Sequence, residues 1–254
     1  MHRIFALCFF ICVARMASAD WHVVRVADDP SAVVTLVHRH VDLEQSETGR
    51  QAILDLALFA TRSCRLRVID NADGASSLAS ALRLTNCLAG VNGGYFDDAF
   101  VPVGLLIVDG KTLSPIRRAR LLTGILAASP RGVQIFRVRE FSAKQKLDAA
   151  VECGPMIVDL GKPVRGLEST RPARRTFAAI ADGDRVALGV CSAVTLDDLA
   201  NILMTDLAAD FKIQRALNLD GGSSSAFWFK RQNGSAFSIS EEKTVRDFVV
   251  VAPR

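Results

Sequence analysis

Four short segments carry side chains able to do chemistry. In Asn92-Gly93-Gly94-Tyr95-Phe96-Asp97, two glycines after an asparagine let the backbone take φ > 0 and aim its amides at one point. That geometry suits an anion or a sugar oxygen, and the same residues also make a tight turn. In Asn218-Leu219-Asp220-Gly221-Gly222-Ser223-Ser224, an apolar strand runs into an acid, two glycines and hydroxyls. Asp220 stands at the strand end, where the glycines leave a ligand access to it, and Asn218 shares its face because strand side chains repeat every two residues. Arg171-Pro172-Ala173-Arg174-Arg175-Thr176 sets guanidinium groups at a strand entrance, as a phosphate clamp or as a solvated face. Glu152-Cys153-Gly154-Pro155 adds a carboxylate before a stiffened strand entry.

The common catalytic signatures are missing. There is no H-E-x-x-H, G-x-x-x-x-G-K-[ST] or G-x-G-x-x-G, and Gly221–Ser225 fails the G-x-S-x-G elbow at its last position. A serine hydrolase on Ser223 or Ser224 would need His22, His38 or His40 brought across from the N-terminal strands. A glycan-binding domain that uses the same polar nest without turnover is the other alternative.

Taken in order, N-G-G-Y-F, G-P before a strand, R-T before a strand and N-L-D-G-G-x-S-S resemble the phosphodiester glycosidase family, which includes the enzyme that uncovers mannose 6-phosphate. The resemblance extends to the G-L-L-I-x-D-G-K hairpin near residues 103–111 and to a capped helix at Thr195, spanning most of residues 30–252. Many members carry three glycines after the aspartate, where Ser223 follows Gly222 here; this departure bears on the substrate.

The resemblance implies hydrolysis of a sugar–O–phosphate at the anomeric C–O bond. That reaction needs a cationic clamp, for which Arg175 with Arg174 is the candidate, and a carboxylate to activate water or attack carbon. Asp220 is the first choice for the carboxylate, with Glu152 and Asp97 behind it. Asn92, Gly93, Gly94, Tyr95, Gly154, Thr176, Asn218, Gly221, Gly222, Ser223 and Ser224 would shape the substrate nest. No cofactor is required. A divalent cation near Asp220 is compatible with this set, although no dedicated ligand cage is visible in the sequence.

The elements that must position these groups are mostly strands. Strands are expected at 21–26 and 32–40, which alternate loosely, at 64–69, which alternates clearly, and at 103–108, 155–159, 176–181, 186–191, 216–219, 226–229 and 248–251. Residues 121–128 and 133–138 form a hairpin around Ser129-Pro130-Arg131-Gly132, while residues 51–59 satisfy helix and strand periods equally poorly. Residues 75–87 look helical. Thr195 and Asp198 make a capping box for a second helix, whose Leu196, Leu199, Leu203 and Leu207 form a core stripe. The expected architecture is α+β: one domain over residues 20–254 with a mixed, largely antiparallel sheet and a few packed helices.

A basic start, an apolar run from Ile4 to Val13 and Ala17-Ser18-Ala19 read as a signal peptide over residues 1–19, so export to a periplasm or the extracellular space is expected. Cleavage would leave 29 basic against 27 acidic residues, a balance that argues against nucleic acid as partner. No other segment reaches the length of a membrane span. The expected partner is a glycosyl phosphodiester or polysaccharide. Cys64, Cys87, Cys153 and Cys191 remain in an oxidising compartment. Closing the shorter loops pairs Cys64 with Cys87 and Cys153 with Cys191.

Overall fold

The computed structural model describes residues 20–208 and 211–254; the expected leader lies outside them. Eighteen strands form three sheets, and every strand pairing among the described residues is antiparallel. Among the described residues only two α-helices accompany them, Leu78–Leu84 and Leu196–Ile202. The α+β expectation is therefore corrected to a β-rich domain. No helix among the described residues is long and apolar enough to cross a membrane.

The largest sheet has eight strands in the order Trp21–Pro30, Val37–Gln45, Gln51–Ala60, Arg185–Val194, Ala173–Ala181, Ile213–Asn218, Met156–Asp159 and Lys162–Pro163. A second sheet runs Lys111–Ser114, Leu106–Val108, Ala149–Cys153, Gly124–Ser129, Gly132–Arg137. The third runs Ala236–Ile239, Phe227–Lys230, Ala89–Asn92, Asp247–Pro253, Cys64–Asp70. Their inner faces meet in one core that includes Phe59, Val68, Leu126, Leu217, Phe227 and Val249. Burying each such large side chain stabilises the fold by roughly 1.5–3 kcal/mol.

The two helices cover outer faces. Leu196–Ile202 lies on the eight-stranded sheet through Leu199 and Ile202, with Leu203 and Leu207 beyond its end also buried, and its Thr195–Asp198 capping box is formed in both directions. Leu78–Leu84 caps the third sheet. Its N-cap is Ser77, so the helix is shorter than the stretch from residue 75 to 87 that looks helical. Residues 51–59 resolve as a strand, and their periodicity was ambiguous because the strand is buried on both faces after Ile53. Ala89–Asn92 and Ala149–Cys153, not expected as strands, show no alternation because every residue in them is buried.

The disulfide expectation is corrected as well. All four cysteines are free and buried. Cys64 packs in the central core and Cys87 among residues beneath the first helix, on opposite faces of the third sheet. Cys153 faces the central core, and Cys191 the far side of the eight-stranded sheet. A bridge in either expected pair would have to pass through a sheet. Burial also pushes the thiols up, Cys64 to about 11 and Cys191 to about 12, which suppresses the reactive thiolate. Alkylation of the unfolded, unreduced protein should therefore label Cys64, Cys87, Cys153 and Cys191; a single bridged peptide among them in the mass map would overturn the assignment.

Candidate active site

The three sheets converge at one end of the core. Ala89–Asn92 of the third sheet ends at Asn92, Ile213–Asn218 of the first runs out to Asp220, and Ala149–Cys153 of the second leads to Gly154 and the cis peptide before Pro155. Asn92 binds them together. Fully buried, it donates from Nδ2 to the Asp220 carbonyl at 2.7 Å, while its Oδ1 stands 2.8 Å from Thr176 Oγ1 and accepts from the Ala226 amide at 3.0 Å. Asn218 plays a similar part, with Nδ2 2.9 Å from the Gly154 carbonyl and 3.0 Å from the Tyr95 hydroxyl. The Tyr95 hydroxyl itself donates to the Gly154 carbonyl at 2.6 Å. Asn92, Thr176 and Asn218 thus form a buried frame behind the site; they do not line an open sugar nest.

Asp220 projects from that frame and is partly exposed. Its amide donates to the Gly93 carbonyl at 3.0 Å, and Leu217 and Leu219 point into the core on the other side of the strand. Burial raises its carboxyl above the usual range, against the opposing pull of the Ser224 hydroxyl, the Gly221 amide and the charge of Lys243. After Asp220 the chain turns through Gly222 at φ +64°, where nothing lies within 4 Å of the position a Cβ would take. The short 3₁₀ turn Gly222–Ser224 follows. The turn itself is open at Gly222.

A second carboxyl stands behind the first. Asp247 opens its strand at the same end of the third sheet, is 1% exposed, and accepts from the Gly94 amide at 3.1 Å through Oδ1, while Oδ2 is buried without a partner. Gly93 is required here, because a Cβ would stand 1.8 Å from Asp247 Oδ1. Burial pushes Asp247 up to about 7; the Gly94 amide and Arg246 oppose this, and the nearby Asp220 charge adds to it. Asp247 is the residue sequence reasoning missed. An acid placed directly before the apolar run Phe248-Val249-Val250-Val251 reads as a solvated strand end, and only that adjacency hinted otherwise.

This burial has a sign in stability. Between its unfolded value of 3.8 and about 7, native Asp247 keeps a proton that the unfolded chain releases. Its contribution is complete below pH 4 and is lost as pH rises to about 7, a swing on the order of 4 kcal/mol. Asp220 is displaced in the same direction. Urea unfolding at pH 5 and pH 8 should show the loss, and Asp247→Asn should flatten it; an unchanged slope in that variant would place the titration elsewhere.

The other expected site residues divide. Arg174 reaches the turn: its Nε donates to the Gly222 carbonyl at 3.2 Å and its guanidinium pairs with Glu242 at 3.0 Å. Arg175 turns to the other side of its strand, bonding the Val194 carbonyl at 2.9 Å, the Arg171 carbonyl at 2.6 Å and Glu168 at 3.4 Å. Glu152 is buried on the outer side of its strand, where Oε2 accepts from the Leu105 and Arg117 amides at 2.8 and 2.9 Å. Asp97 is exposed and closes its own loop by accepting from the Ala99 and Val101 amides. Ser224 holds Asp220, and the Ser223 carbonyl accepts from the Glu242 amide at 2.8 Å. Among the described residues no histidine hydrogen-bonds Ser223 or Ser224; His38 and His40 both lie on Asp55, at 2.8 and 2.9 Å. No group of three or more His, Cys, Asp or Glu side chains among the described residues is arranged to hold a metal ion.

A family model described as phosphodiester glycosidase matches residues 85–252, a stretch that contains every group just described around Asp220. The chain belongs to the phosphodiester glycosidase family. Solved structures share the fold of this phosphodiester glycosidase domain. The catalytic domain of zebrafish N-acetylglucosamine-1-phosphodiester alpha-N-acetylglucosaminidase, auto-inhibited by its pro-peptide, aligns with TM-score 0.65 at 15% identity over 95% of this chain and 85% of that one. A protein from Synechocystis described as hypothetical aligns with TM-score 0.63 at 15% identity over 87% of this chain, which spans 62% of that one. No curated protein matches the chain.

Proposed function

We propose that this protein is an exported hydrolase that cleaves the glycosidic bond of a sugar-1-phosphodiester in an envelope or extracellular glycan. The observation that carries the reading is the Asp220 carboxylate at an open turn, held from behind by a buried frame, with the charge of Lys243 acting on it and Arg174 on the Gly222 carbonyl of the same turn. Attack on the anomeric carbon breaks the C1–O bond, and the electron pair leaves on the phosphate oxygen. The phosphate monoester expelled in this way needs little protonation, so a cation near the phosphate and a carboxylate near the carbon suffice. Asp220 supplies that carboxylate, as nucleophile or as base toward water, and Ser224 with the Gly221 amide fixes its orientation. Asp247 is too deeply buried to touch substrate and stands behind Asp220, whose charge helps to keep it protonated.

The clamp passes from Arg175 to Arg174, because only Arg174 reaches the D-G-G-S turn. Arg174→Lys keeps the charge but loses the planar fork, so kcat/KM should fall at least about tenfold, roughly 1.4 kcal/mol. Arg175→Lys should leave turnover near wild type and act on stability instead. Equal kinetics in both variants would remove the clamp from the mechanism. The reaction itself is tested by screening the purified mature protein against a panel of sugar-1-phosphodiesters. Binding without release of free sugar would make this a glycan-binding domain.

A further inference from the structure

The loop between Lys111–Ser114 and Gly124–Ser129 carries Arg117, Arg118 and Arg120, all exposed. Among the described residues none of these guanidinium groups has a hydrogen bond or an ion pair. Arg39, Arg50, Arg62, Arg137 and Arg215, by contrast, each carry a carboxylate partner. The backbone of the loop is nevertheless pinned. The Arg117 amide donates to Glu152 Oε2 at 2.9 Å, the Thr123 amide to the Cys153 carbonyl at 3.1 Å, and Thr123 Oγ1 accepts from the Met156 amide at 2.7 Å. Between those anchors the Leu121 carbonyl lies so close to Gly154 that an added Cβ there would stand 2.1 Å from it. The loop therefore runs along the 152–156 segment, whose Gly154 carbonyl is held by Tyr95 and Asn218 in the frame behind Asp220.

Three cations within four residues repel one another, and no ion pair among the described residues neutralises them. A single phosphodiester charge is already served by Arg174. We propose that the Arg117–Arg118–Arg120 loop is an outer subsite that binds a further anionic group on the same substrate, which makes the substrate class a polyanionic glycan with repeated phosphodiester links. This rests on the glycosidase reading above and names its substrate. The planar fork of arginine suits phosphate oxygens, and fixed anchors with free heads lower the cost of ordering the site.

The test is binding, not turnover, and so stands whether or not the reaction is as proposed. In an Asp220→Asn background, a fluorescein-labelled oligomer of N-acetylglucosamine 1-phosphate units is titrated by anisotropy, beside a neutral chito-oligomer of the same length. Replacing Arg117, Arg118 and Arg120 by Gln should weaken binding of the phosphate oligomer by about tenfold or more at low salt and reduce its salt dependence, with the neutral oligomer unaffected. A control removes three cations at the opposite end of the molecule, with Arg65, Arg131 and Lys144 replaced by Gln around the far clefts; binding should then hold. Equal affinity with and without the loop arginines overturns the proposal. So does an equal loss in the control, which would make the effect one of net charge, and so does equal binding of a single-stranded oligonucleotide, which would deny selectivity for a glycan.

Discussion

Asp220→Asn should lower turnover by about 10²–10⁴ while leaving the melting temperature at or slightly above that of the parent protein. The carboxylate projects from the buried frame at the open turn, and its Ser224, Gly221 and Lys243 neighbours all favour a negative charge there. Asn keeps the size and the acceptor oxygen and loses the charge that meets an oxocarbenium-like carbon. Burial disfavours the ionised form, so removing the charge relieves the fold. The two measurements belong on one preparation: a variant that melts like the parent and turns over within threefold of it removes Asp220 from catalysis. A variant that unfolds makes Asp220 structural, and Arg174→Lys then becomes the test of the site.

Gly154→Ala should cost the fold roughly 3 kcal/mol or more. A Cβ at that position would stand 2.1 Å from the Leu121 carbonyl oxygen and 2.9 Å from the Thr123 amide nitrogen, and both are backbone atoms with no rotamer to turn away. Relief requires the loop and the 152–156 segment to part, which would break the Thr123 amide bond to the Cys153 carbonyl and disturb the Tyr95 and Asn218 contacts on the Gly154 carbonyl. Gly49→Ala is the matched control. Gly49 sits at φ +66° with nothing within 4 Å of an added Cβ, so only the conformational cost of about 1–2 kcal/mol applies. Equal losses at both positions in denaturant unfolding would show that the close approach at Gly154 is tolerated.

Local chemistry was legible in the residues themselves. The Thr195–Asp198 capping box, the hairpin through Ser129–Gly132, the alternating strand at Cys64–Asp70 and the strand running into Asp220 all formed as their patterns demand. Each depends on neighbours within a few residues, so spacing and side-chain type suffice. The D-G-G turn was likewise visible, but the N-G-G segment is corrected: neither Gly93 nor Gly94 takes a positive φ, and their amides bond Asp247 instead of facing a ligand.

Tertiary structure decided everything that depends on which face of which sheet meets another. A register shift between Ala173 and Arg175 accompanies the divergence of two adjacent arginines, one onto the Gly222 turn and the other toward Val194 and Glu168; their run in sequence does not distinguish them. Four cysteines in a chain expected to be exported read as two bridges until their sheet faces are known. Asn92 and Thr176 look like ligand-facing polar residues and are buried fasteners between sheets, while Asp247 looks like a solvated strand end and is a buried carboxyl beside the site. Periodicity reports how a residue alternates within its own strand. The partner that buries it comes from pairings more than a hundred residues away, Asn92 with Asp220 and Gly94 with Asp247, and no local pattern encodes them.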